Sequence, residues 1–90
     1  MIDKISFLRT FERDYKKLDA QMKERVGAKL SDLRKDPRPS GLAFEKLKGY
    51  SKPDLYTIHV TGNYKISLEI VGSEAKLRRV GTHNAIDRSP

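Results

Sequence analysis

His59 and Lys65 are the two residues whose placement most directly suggests chemistry. They lie in two alternating runs, residues 56–60 and 64–70, separated by Thr61-Gly62-Asn63. Tyr56, Ile58 and Val60 share one side of the first run, and Tyr64, Ile66, Leu68 and Ile70 share one side of the second. An odd number of turn residues is needed for these apolar sets to meet, because a one-residue slip turns every side chain over. The three-residue turn satisfies this, with Gly62 or Asn63 supplying a positive φ. Ile58 then faces Ile66, and His59 faces Lys65. A proton-transfer group thus stands beside a cation on the polar side of a hairpin.

Other groups fall near this pair. Gly72-Ser73 reads as a two-residue turn into a further strand, residues 74–81, in which Leu77 faces Leu68, Lys76 faces Glu69 and Arg78 faces Ser67. Arg78 then joins His59 and Lys65. His83 follows the strand, in a polar tail that also holds Asp87. Glu45, Lys46 and Lys48 lie in the segment before the hairpin. Cleavage of RNA without a metal needs a base for the 2′-hydroxyl, a cation for the charge growing on phosphate, and an acid for the leaving 5′-oxygen. Histidine and glutamate suit the proton transfers, and lysine and arginine suit the charge. The same inventory also fits a solvated basic surface with no chemistry. Two histidines without helical spacing, and no cysteine, make no metal site. No Ser-His-Asp pattern or glycine-rich phosphate loop is present, and no cofactor is expected.

The positioning elements can be read around this hairpin. Ile5 and Phe7 alternate, predicting a strand over residues 2–7. Leu8, Phe11, Tyr15 and Leu18 form the stripe of an amphipathic helix carrying Arg9, Arg13, Lys16 and Lys17. Asp19 caps a second helix with the stripe Met22, Val26, Leu30 and Leu33. Asp36-Pro37 ends it. Residues 36–54 read as a long polar loop with Glu45, Lys46, Lys48, Lys52 and Asp54, pinned by Leu42, Phe44 and Leu47; loops of this length are often functional. Arg79 falls on the apolar side of the last strand unless a bulge or a frayed end relieves it. The expected class is α+β, in the order β-α-α-β-β-β. A helical hairpin covers one face of a small, largely antiparallel sheet, and the other face stays open and basic.

Ninety residues make one domain, residues 1–90. The formal charge of +7 favours a polyanionic partner. No run approaches the roughly 18 apolar residues of a membrane span. The start of the chain lacks a signal peptide's apolar run, and no cysteine is present for a disulfide framework. A cytoplasmic location without membrane contact follows as an expectation.

Taken together, these segments resemble the RelE/ParE superfamily of toxins from toxin–antitoxin pairs. The likeness starts with a strand and two basic helices ending at Leu33-Arg34-Lys35-Asp36-Pro37. Glu45-Lys46-Leu47-Lys48-Gly49 resembles a segment of the YoeB toxins. Residues 56–66 resemble the family's central hairpin, and Gly81-Thr82-His83 is similar to the end of the YafQ toxins. The resemblance implies a microbial-RNase-like fold. It implies a metal-independent mRNA endoribonuclease, acting with mRNA and the ribosome and held in check by a cognate antitoxin. It further implies Glu45 as general base, Lys65 as the phosphate-stabilising cation, His83 as general acid and Lys48 as an RNA contact; Lys46 and Asp87, with His59 and Arg78 from the face assignment, are the other expected RNA-binding residues. Lysine stands at 65 where the family has arginine, which keeps the charge and loses the bidentate fork. Asn84-Ala85-Ile86-Asp87 follows His83 where many relatives carry an aromatic residue. The alternatives are a gyrase-poisoning toxin of the ParE type, and a non-catalytic basic binding module of the same fold.

Overall fold

The structure, a computed structural model, describes residues 2–35, 37, 39–50 and 53–90. The helix-stop residue Asp36 and the loop residue Lys52 lie outside them. Strand β1 (Lys4–Phe7) starts later than the alternation predicts, although Ile2 is already buried in the core. Helix α1 (Arg9–Lys16) follows directly, with Leu8 at its N-cap. Helix α2 (Ala20–Leu33) is capped as expected: Asp19 Oδ1 accepts from Met22 N at 2.8 Å. Of its stripe, Val26 and Leu33 are fully buried, and Met22 and Leu30 are half-buried. They pack with Ile58, Ile66, Leu68 and Leu77 in one hydrophobic core between the helices and the sheet.

The expected loop over residues 36–54 is not without structure. A short 3-10 turn (Ser40–Leu42) buries Leu42. Strand β2 (Glu45–Lys46) then pairs antiparallel with β3 (Leu55–His59), placing Glu45 opposite Thr57 and Lys46 opposite Tyr56. Phe44 stacks on Tyr56, with centroids 5.2 Å apart. Two paired residues are too few to show alternation, so only the docked sheet reveals β2.

Strands β3 and β4 (Tyr64–Val71) meet in the expected register, Ile58 opposite Ile66 and His59 opposite Lys65. The turn differs in one respect. Among the described residues positive φ occurs only at Ala43, Gly49 and Gly72, so neither Gly62 nor Asn63 supplies it. Thr61 Oγ1 accepts instead from Asn63 N and Tyr64 N, both at 3.2 Å, and this side-chain turn closes the hairpin. Gly72, at φ +62, makes the two-residue turn into β5 (Glu74–Thr82) as expected.

A bulge between β4 and β5 resolves the Arg79 misfit. Leu68 pairs with Leu77, but Ser67 pairs with Arg79 rather than Arg78. Arg79 turns to buried Asp14 of α1, with Nε donating to Oδ2 at 2.9 Å. The same Asp14 oxygen accepts from Val80 N at 3.3 Å. Helix α1 thereby covers the far half of β5, whose near half pairs in parallel with β1. The sheet order is β1-β5-β4-β3-β2.

The polar tail is the largest departure. Residues 83–88 form helix α3 (His83–Arg88), with Thr82 Oγ1 accepting from Ala85 N at 3.3 Å. Ile86 is fully buried. It lies so close to Gly81 that a Cβ there would meet Ile86 Cδ1 at 3.7 Å. Helix α3 therefore covers part of the sheet face expected to be open. The α+β class stands, with one added strand and one added helix.

Candidate functional site

Strand alternation places Glu45, Thr57, His59, Lys65, Ser67 and Glu69 on the sheet side away from the hydrophobic core. Helix α3 adds His83 and Asp87, four residues apart and so on one helical face. The four inner groups make a square. His59 and Lys65 are paired across β3 and β4. The His59 and His83 rings meet edge to face, with centroids 4.7 Å apart. Lys65 Nζ donates to Asp87 Oδ1 at 2.8 Å. His83 N also donates to Asn63 O at 2.9 Å, which ties the start of α3 to the hairpin turn.

Burial gives this square its electrostatics. Lys65 is only 7% exposed, and a buried ammonium is tolerated where a carboxylate meets it. The Asp87 side chain is about half exposed, at 53%. The pKa of His59 is lowered from 6.5, chiefly because burial penalises its charged form, with the positive charge of His83 and Lys65 adding to this and Glu45 and Asp87 opposing it. His59 is therefore neutral at neutral pH and can accept a proton. The Nε2 atom of His83 is buried with no partner among the described residues, as are the hydroxyls of Thr57 and Ser67.

The remaining expected residues are less central. Arg78 reaches this sheet side through an ion pair with Glu69 at 3.2 Å. Glu69 lies four residues along β4 from Lys65, or about 13 Å. Arg78 does not face Ser67, because the bulge gives that place to Arg79. Lys46 pairs with Asp54 at 3.5 Å and, opposite Tyr56, points to the helical side of the sheet. Lys48 is exposed just after β2. Among the described residues no group of three or more His, Cys, Asp and Glu side chains could hold a metal ion.

Sequence reasoning missed Asp87 as the partner of Lys65, and with it α3. A signal was present. Thr82 is a good N-cap, and Ile86 is an apolar residue in an otherwise polar tail. The buried hydroxyls of Thr57 and Ser67 were also missed, since alternation places them on a side expected to be solvated.

A second region lies on the helical side. Phe7, Phe11, Tyr15, Val26 and Leu30 line a groove of about 360 Å³. Phe7 stacks on Phe11 at 5.4 Å and Phe11 on Tyr15 at 5.9 Å, yet Phe7 is 50% exposed.

No family model and no curated protein matches this sequence. Solved structures do. YafQ from E. coli strain BL21(DE3) shares 19% identity, with 96% of this chain and 98% of that one covered, at a TM-score of 0.76. The RelB–RelE antitoxin–toxin complex from Methanococcus jannaschii matches at 28% identity, with 94% and 99% covered and a TM-score of 0.68. The chain has the fold of the RelE/ParE toxins. A YoeB/ParE toxin from Agrobacterium tumefaciens shares this RelE-like fold at 19% identity, with 90% and 99% covered and a TM-score of 0.73. These alignments cover nine-tenths or more of this chain and 98% or more of each matched one. No helix among its described residues is long and apolar enough to cross a membrane.

Proposed function

We propose that this chain is the toxin of a toxin–antitoxin pair, acting as a metal-independent mRNA endoribonuclease at the ribosome in the cytoplasm. The observation that carries the chemistry is the contact between the His59 and His83 rings beside Lys65 on one sheet face. The 2′-oxygen of RNA attacks its neighbouring phosphorus, and the bond to the 5′-oxygen breaks. Neutral His59 takes the 2′ proton. The exposed Glu45 carboxylate, on the next strand, favours the imidazolium that results; it is also the group that the family resemblance casts as the base. His83, in its protonated form, gives a proton to the leaving 5′-oxygen. Lys65 stabilises the charge on the non-bridging oxygens. The products are a 2′,3′-cyclic phosphate and a free 5′-hydroxyl, so the proton balance closes. Lys48, Arg78 and the basic helices supply phosphate contacts away from the reacting atoms.

The partner is a cognate antitoxin. Several similar structures were solved as such pairs, including E. coli DinJ–YafQ at a TM-score of 0.76 and RelE–RelB from Pyrococcus horikoshii at 0.71. The exposed aromatic groove on a chain of charge +7 suits an acidic, amphipathic antitoxin helix.

Expression in cells followed by mapping of mRNA 5′ ends tests the reading. Cuts in phase with codons are expected. Intact mRNA with a DNA-damage response would sink the nuclease in favour of gyrase poisoning. Intact mRNA with normal growth would leave a binding module.

A further inference from the structure

The cation proposed to meet phosphate already holds an anion. Lys65 Nζ is bonded to Asp87 Oδ1 at 2.8 Å, and the Lys65 side chain is 9% exposed against 53% for Asp87. The ammonium is thus buried, while the carboxylate it holds is open to solvent. Asp87 is supplied by α3, a helix of only six residues whose first residue is tied to the hairpin by His83 N and the His83 ring, and whose later turn is anchored by one fully buried side chain, Ile86. Beyond its end, Arg79 Nη1 donates to Ser89 O at 3.1 Å. On the same sheet side, next along the strands, lie the buried Thr57 and Ser67 hydroxyls, which have no partner among the described residues. A buried cation beside two unpaired hydroxyls is a set of donors suited to a tetrahedral oxyanion.

We infer that Asp87 is an internal stand-in for phosphate, and that an RNA phosphate gains Lys65 by displacing it. The inference rests on reading Lys65 as the phosphate cation, and it adds a regulatory step to that site. Occupancy by Asp87 lowers the apparent affinity for phosphate by the fraction of molecules in which Lys65 is free. It also couples the site to α3. His83 and Asp87 share one face of that helix, so releasing Asp87 loosens the hold that keeps His83 against His59.

Titration of the full chain with inorganic phosphate, followed by NMR, tests this without reading cleavage. Asp87→Asn is expected to bind phosphate about three- to tenfold more tightly than the unaltered chain, a modest gain because half-exposed ion pairs are weak. The gain should vanish in a Lys65→Met background. In the unaltered chain, phosphate should shift the Asp87 carboxylate and Ile86 methyl signals together, a readout that needs no variant to fold. Equal or weaker binding by Asp87→Asn overturns the inference. So does a gain that survives Lys65→Met, or binding to the unaltered chain that leaves Asp87 unmoved. If Lys65→Met has no effect on phosphate binding in any background, the reading of Lys65 fails as well. If mRNA is cut in cells but Asp87→Asn binds phosphate no more tightly, only the displacement step fails.

Discussion

The two faces of the sheet are built on opposite terms. The face under α1 and α2 is closed by Leu33, Val26, Ile58, Ile66, Leu68 and Leu77, all buried and all apolar. The face under α3 is also buried at Thr57, Lys65 and Ser67, but with polar and charged groups. The first face gains free energy from burial. The second gives some up, because two hydroxyls and a histidine nitrogen are buried without partners among the described residues. Polar groups are kept on such terms where chemistry needs them, and the contrast supports the proposal that the α3 face is the working one. The aromatic groove beside α1 is the exception on the apolar side: there a hydrophobic surface is left uncovered.

Substitutions should separate the two faces. Lys65→Ala and His83→Ala are each expected to lower mRNA cleavage by about a hundredfold or more. Toxicity assays and end mapping would show this, with the folded far-ultraviolet spectrum retained. Unchanged cleavage in both would remove these residues from the mechanism. Leu33→Ala, on the apolar face, is expected to cost about 3 kcal/mol in urea unfolding, since it opens a cavity where no solvent reaches. The pH dependence of stability comes next in size. The pKa of His59 is lower in the folded chain than in the unfolded one, so the unfolded chain binds more protons between the two values. The stability contribution is complete above about 6.5, the unfolded value, and is lost as pH falls from there towards the folded value. Replacing His59 with Gln should flatten that part of the profile. Smallest is Thr57→Val, which removes an unpaired buried hydroxyl while keeping its shape. It should change stability by less than about 1 kcal/mol, or raise it. A clear loss there would mean that the hydroxyl has a partner after all, and would blur the contrast between the faces.

Most of the fold was legible because its signals are local. Parity across residues 56–70 placed Ile58 against Ile66 and His59 against Lys65. Asp19 marked the start of α2, and Gly72 marked a turn that needs positive φ. Parity also showed that Arg79 did not fit, although only the sheet showed that the bulge trades its place with Arg78 and that Asp14 receives it. Strand β2 and helix α3 were not legible, for one physical reason. Two residues and six residues are too short to hold their own periodicity, and each exists by docking on the sheet.

The candidate site divides in the same way. Amino-acid order by itself determined that a histidine and a lysine would be paired on the polar side of a hairpin, because side-chain direction in a strand depends only on parity. It also placed Glu45 and His83 on either side of that hairpin along the chain. Only the tertiary structure decided that His83 returns to touch His59, that Asp87 reaches Lys65 and that the face thought open is partly covered. Those contacts join residues 22 and 24 positions apart, through a helix that buries Ile86 beside Gly81.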